Sequence, residues 1–138
     1  MKKLKIKIVV ANYYQEITDS LTQSCIEILD HNKLKYEIFS VPGVYEIPQM
    51  IKWKIKTNSY NLFIALGCVI KGETYHFEVI SDSVGKALLD IVNQNKNTLI
   101  SNGIINAYSK SQAIKRSKSK NKGKEAANAM VKMIKCLI

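Results

Sequence analysis

The segment from Leu4 to Ala11 alternates at first, through Leu4, Ile6 and Ile8, and then runs apolar through Val9, Val10 and Ala11. A strand behaves this way on entering a core covered on both faces. After Asn12 and Tyr13, either Thr18 or Asp19 can cap a helix whose Leu21, Cys25, Ile28 and Leu29 recur at i, i+4, i+7 and i+8, and that helix is expected to end between His31 and Lys33. Tyr36 to Val41 is rich in aromatic and branched residues and stops at Pro42-Gly43, which predicts a second strand closed by a turn. Ile47, Met50, Ile51 and Ile55 share one helical face, with Pro48 tolerated in the first turn. Trp53 lies off that stripe and is expected to cover the core or a subunit contact.

Leu62 to Ile70 is nearly all apolar with two small residues, the pattern of a central parallel strand. Phe77, Ile80, Val84, Leu88 and Ile91 then form a helical stripe. Thr98 to Ile105 predicts a fourth strand, Ser109 can cap a short helix through Ser117, and Ala126, Met130, Met133, Ile134 and Leu137 line a last helix. Strands alternating with helices in this order predict an α/β domain: a three-layer α/β/α sandwich with a four-stranded, mainly parallel sheet flanked by helices. The 138 residues contain no repeat or linker and fit one domain spanning 1–138.

Composition narrows the classes. No uncharged apolar run approaches the roughly 18 residues that cross a bilayer, so no membrane role is expected. Lys5 and Lys7 interrupt any signal-peptide core, and the protein is expected to be cytoplasmic. Cys25, Cys68 and Cys136 are odd in number and lack paired ligand spacing, so they fit neither a disulfide framework nor a zinc site. Lys and Arg total 21 against 11 Asp and Glu, a formal charge of +10, which favours anionic partners. Six of the ten residues from Lys115 to Lys124 are basic and form the one clear cluster.

In parallel sheets ligands bind beyond the carboxyl ends of the strands. That rule selects Asn12 to Tyr14, Pro42 to Glu46, Lys71 to His76 and Asn106 to Ser109. Gly67 to Thr74 (GCVIKGET) misses the phosphate-cradling G-x-x-x-x-G-K-[ST] by one residue, Glu73 standing at the lysine position. Gly72 with the amides of Glu73 and Thr74 can still seat a phosphate before a helix, or simply form a strand-to-helix turn. His76, at the start of that helix, can transfer protons near neutral pH or serve structure alone. Tyr45 beside Glu46 can stack on a heterocycle and accept from its N–H groups, or pack at the surface and favour a helix N-terminus. No residues have metal-ligand spacing.

The segments VPGVYEIP (Val41 to Pro48) and ALGCVIKGETYHFE (Ala65 to Glu78) resemble the two signature segments of the 6,7-dimethyl-8-ribityllumazine synthase family. KIKIVVANYY at the start, NGII (Asn102 to Ile105), SQAIKR (Ser111 to Arg116) and NKGKEAANA (Asn121 to Ala129) resemble it in order and spacing. The resemblance implies condensation of 5-amino-6-(D-ribitylamino)uracil with 3,4-dihydroxy-2-butanone 4-phosphate to the lumazine, phosphate and water in riboflavin biosynthesis, with no cofactor. It implies that Tyr13 stacks on the pyrimidine, that Val44, Tyr45 and Glu46 contact the pyrimidine and ribityl chain, and that Cys68, Val69 and Ile70 border the ring. Glu73 and Thr74 would seat the phosphate, His76 would transfer protons, and Arg116 would reach the phosphate from a neighbouring subunit with Lys122 nearby.

Asn102 is included as a substrate contact, although many relatives carry an aromatic there; Lys71 replaces an arginine, and Asn106-Ala107-Tyr108 replaces a threonine-rich loop. The family's pentamers, some closed into capsids, imply a homo-oligomer, and riboflavin synthase is a candidate partner. Two other readings stand beside this one: a lumazine-binding protein without turnover, and a basic nucleic-acid-binding α/β module, for which no specific recognition motif is present.

Overall fold

A computed structural model describes residues 4–73 and 76–137. In chain order they form β1 (Lys5–Ala11), α1 (Gln15–His31), β2 (Lys35–Val41), a single 3-10 turn (Val44–Glu46), α2 (Ile47–Lys54), β3 (Asn61–Ile70), α3 (Phe77–Gln94), β4 (Thr98–Ala107), α4 (Lys110–Ser117) and α5 (Lys122–Leu137). The strands lie in the order β2-β1-β3-β4, and every pairing is parallel.

All ten residues of β3 are buried, because successive side chains point to opposite faces and each face is covered by helices. Leu62, Ile64 and Leu66 join Leu21 and Cys25 of α1 and Met130 of α5 in one cluster. Phe63, Ala65 and Val69 join Ile51 of α2 and Val84 and Leu88 of α3 in the other. The expected three-layer α/β/α sandwich is therefore present. Each fully buried Leu, Ile or Phe contributes roughly 1.5–3 kcal/mol relative to exposure.

Several boundaries differ from the sequence-based expectation. Helix α1 begins at Gln15, so neither Thr18 nor Asp19 caps it. Thr18 lies buried in the first turn, its hydroxyl within 3.3 Å of the carbonyls of Tyr14 and Gln15. Strand β4 continues to Ala107, two residues past its expected end. On α5 the buried face includes Ala127 and Val131, whereas Met133 and Leu137 are exposed. Trp53 is 84% exposed and does not cover the core of its own chain. None of the described helices is long and apolar enough to cross a membrane.

Side-chain caps fix the last two helices. The Ser109 hydroxyl accepts the Gln112 N–H at 3.2 Å, while the Gln112 amide oxygen accepts the Tyr108 N–H at 2.7 Å, a reciprocal arrangement like a capping box. Asn121 accepts the Lys124 N–H at 2.9 Å and donates to the Ser117 carbonyl at 2.7 Å. Helix α5 then crosses α1 so closely that a Cβ on Gly123 would collide with the backbone of Leu21. Gly123→Ala is therefore expected to cost about 1–3 kcal/mol through forced separation of these helices, visible as a lower urea midpoint; an unchanged midpoint would refute the tight crossing.

Candidate active site

The strand order reverses between β1 and β3: the chain leaves β1 toward β2 and then returns past it to β3. Connections diverge at that point and leave a crevice beyond the carboxyl ends. Tyr13 and Tyr14 follow β1, Gly43 to Glu46 follow β2, Cys68 and Val69 end β3, and Glu73 and Ile80 close the outer side. Together these residues line a cavity of about 360 Å³. Gly67 permits this arrangement, since a Cβ there would lie 2.9 Å from Val44 Cγ2 and hold the 3-10 turn away from β3.

The Tyr13 and Tyr14 rings meet edge to face with centroids 4.9 Å apart. Tyr13 is 76% and Tyr45 58% exposed, leaving aromatic surface beside the cavity for a planar ligand. The Glu46 and Glu73 side chains belong to residues lining the same cavity, and among the described residues no lysine or arginine lines it. Carboxylates there can accept from ligand N–H or hydroxyl groups. The nearest strand-end cation in sequence, Lys71, is paired with Glu78 at 3.0 Å and stands over the Tyr108 ring at 5.5 Å. Hydrogen bonding to Glu78 raises the Lys71 pKa and lowers that of Glu78.

Around the expected phosphate seat, the Glu73 N–H is donated to the Ile70 carbonyl at 3.1 Å. Among the described residues, a Cβ on Gly72 would meet the Tyr108 carbonyl at 4.0 Å, an ordinary contact distance. Thr74 lies outside the described residues. His76 occupies the left-handed region at φ 68° as the cap residue of α3, and its carbonyl accepts the Ile80 N–H at 3.0 Å. A branched-off, non-glycine residue in that region carries a conformational cost that its surroundings must offset.

The cavity thus brings together Tyr13, Val44, Tyr45, Glu46, Cys68, Val69 and Glu73. Ile70 is not among the lining residues; its side chain is buried, at 1% exposure, in the cluster that also holds Cys68. Asn102 is exposed midway along β4, where its side-chain oxygen accepts the Ile104 N–H at 3.0 Å. Arg116 lines a separate groove with Lys115 and Lys120, and Lys122 begins α5. Sequence reasoning missed the lining roles of Tyr14, Gly43 and Ile80, although Tyr14 and Gly43 lay in selected loops and the apolar stripe identified Ile80 as a helix position. Among the described residues no group of three or more His, Cys, Asp or Glu can hold a metal ion.

An open crevice at a topological switch, lined by tyrosines and two glutamates, is suited to a polar heterocycle held by stacking and hydrogen bonds. The family model described as 6,7-dimethyl-8-ribityllumazine synthase matches residues 3–137. The chain is 43% identical over 131 residues to a 6,7-dimethyl-8-ribityllumazine synthase of Bartonella bacilliformis, covering 92% of this chain and 86% of that protein. It is 40% identical to the synthase of that name from Bartonella tribocorum, covering 96% and 89%, and 35% identical to that of Zymomonas mobilis, covering 94% and 93%. The protein is thus a transferase of riboflavin biosynthesis. The chain belongs to the 6,7-dimethyl-8-ribityllumazine synthase family.

Burial, and then the nearby Glu73, push the Cys68 thiol up to about 12, and burial alone pushes Cys25 up to about 12. At pH 8 the thiolate fraction at such a site is on the order of 10⁻⁴, rising only as the pH approaches the pKa. Exposed Cys136 should therefore be alkylated well before Cys25 and Cys68, as read by peptide mass spectrometry after alkylation of the folded protein; early loss of the Cys68 thiol would contradict its burial beside the cavity.

Proposed function

We propose that this chain condenses 5-amino-6-(D-ribitylamino)uracil with 3,4-dihydroxy-2-butanone 4-phosphate in the switch-point cavity, as one domain working within a cytoplasmic homopentamer. The observation that carries the reading is the meeting of Tyr13, Tyr45, Glu46 and Glu73 around one cavity at the ends of β1 and β3. Tyr13 stacks on the pyrimidine, while Val44, Tyr45 and Glu46 contact the pyrimidine and ribityl chain. Cys68 and Val69 border the ring from the strand end, and Ile70 contributes through its backbone.

The amine attacks the ketone and water leaves to give an imine. Elimination then expels phosphate, and ring closure expels a second water as the lumazine forms. The protein orients two substrates and moves protons between steps. His76 serves as the proton-transfer group, the Glu73-Thr74 step receives the phosphate, and Arg116 of a neighbouring copy neutralises the departing phosphate with Lys122 close by. The separation of the Arg116 groove from the cavity within one chain supports assembly as the means of completing the site. Exposed Trp53, Val79 and Leu89 on α2 and α3 supply apolar surface that such an assembly would cover. Asn102, on the outer edge of β4, reaches substrate only across such a contact. Riboflavin synthase, which consumes the lumazine, is the partner this reading anticipates.

Purified protein mixed with both substrates should release lumazine absorbance and phosphate in step, and sedimentation should give five chains. His76→Ala is expected to lower kcat by about 10²–10⁴ without abolishing turnover. Arg116→Ala should raise KM for the phosphorylated ketone more than for the pyrimidine. Unaltered kinetics in both variants would remove these assignments, and bound lumazine without turnover in the unmodified protein would replace the enzyme reading with that of a binding protein.

A further inference from the structure

A second cleft, of about 440 Å³, opens at the amino ends of the strands, at the far end of the sheet from the switch point. Its walls are Lys5 and Lys7 of β1, Glu37 of β2, and Lys56 with Asn58, Ser59, Tyr60 and Asn61 of the segment entering β3. Lys5 and Lys7 share a strand face because side chains repeat every two residues, and the parallel register sets Lys7 directly beside Glu37. The connection after α2 brings Lys56 to the same place. Buried Asn61 fixes that connection by accepting the Lys56 N–H at 2.9 Å and donating to the Lys56 carbonyl at 3.0 Å.

The charges at this end do not balance. Glu37 is the one carboxylate among the described lining residues, and it is already paired with Lys5 at 3.0 Å. Lys7 donates to the Lys54 carbonyl at the carboxyl end of α2 at 3.0 Å, where a cation complements the helix dipole. Lys54 adds a further ammonium, held over the Phe39 ring at 4.5 Å. Burial, then repulsion from Lys56, holds the Lys7 ammonium below the usual lysine range despite the opposing pull of Glu37. A multivalent anion relieves this repulsion, while Asn58, Ser59 and Tyr60 provide polar walls.

We propose that the cleft between Lys5, Lys7 and Lys56 is a binding site for a small multivalent phosphate anion, separate from the switch-point cavity. A concave, pocket-sized site with three lysines among its lining residues favours a compact phosphate or diphosphate over a long polyanion, whose binding needs charge laid out along a surface track.

The test is acylation of the full-length protein with a limiting amine-reactive acetyl ester, with and without inorganic pyrophosphate at matched ionic strength, followed by peptide mass spectrometry. Acylation needs the neutral amine, so a bound anion slows it both by cover and by favouring the ammonium. Lys5, Lys7 and Lys56 should be slowed about fivefold at a pyrophosphate concentration four times its Kd, while Lys86 and Lys132 keep their rates. Lys56→Gln should remove most of the protection at Lys7 and leave lumazine formation unchanged. Equal slowing of all lysines, no slowing, or unreactive cleft lysines in the ligand-free protein would each overturn the proposal. So would protection at Lys7 that survives Lys56→Gln, or stronger protection by a single-stranded oligonucleotide at equal phosphate concentration, which would assign the cleft to nucleic acid.

Discussion

The burial of β3 on both faces is the constraint from which the rest follows. A strand with no solvent face must receive helices on each side, and its parallel neighbours force every connection to travel the length of the sheet before the next strand begins. Leu62, Ile64 and Leu66 face α1 and α5, while Phe63, Ala65 and Val69 face α2 and α3. The resulting rigid sheet sends its carboxyl ends to one rim and its amino ends to the other. Polar side chains are divided along the same axis. Aromatic rings and carboxylates gather beyond the carboxyl ends, and lysines gather beside the amino ends, although both sets come from elements consecutive in sequence.

Close packing also governs how the switch-point cavity is shaped. The turn at Val44–Glu46 can sit against β3 only because residue 67 lacks a side chain. Val44 is buried while the next residue, Tyr45, is largely exposed, so one short turn anchors itself with the first residue and presents the second and third to the cavity. On the other side of the sheet, the contact between Gly123 and Leu21 brings α5 against α1 and fixes the base from which α4 and its basic groove project. Volumes at two glycines, far apart in sequence, thus set how the Val44–Glu46 turn meets β3 and how α5 meets α1.

Much of this was legible in the chain because hydrophobic periodicity reports burial directly. The run Leu62 to Ile70 identified the central strand, and the stripe Phe77, Val84, Leu88 and Ile91 identified α3. The start of α1 was not legible: Thr18 looks like a cap, but its hydroxyl turns back to the preceding carbonyls inside an apolar layer. Met133 and Leu137 fit the stripe of α5 yet fall on its exposed side, since α1 and β4 cover only part of that helix. Most of the residues that line the cavity fall within the two signature segments, at strand ends. Ile70 differs because it is sealed deeper in the cluster it shares with Cys68, at 1% exposure, and only Cys68 of the two lines the cavity. The amino-end lysine cleft had no local signature at all, since strand register and the α2 to β3 connection assemble it.

Electrostatics explains why a single copy is poorly equipped for a phosphorylated substrate on the proposed reading. The cavity carries Glu46 and Glu73 on its walls with no lining cation among the described residues. Lys71 is engaged by Glu78, and the Glu73 N–H is used by the Ile70 carbonyl. A phosphate brought there alone meets like charge in a partly desolvated crevice, where repulsion is less screened than in water. The groove holding Lys115, Arg116 and Lys120 has the opposite imbalance. Apposing the two from different copies brings each set of charges to its complement, so substrate binding and subunit association favour one another. Loss of the guanidinium would then weaken the phosphate site without removing the aromatic surface that receives the pyrimidine.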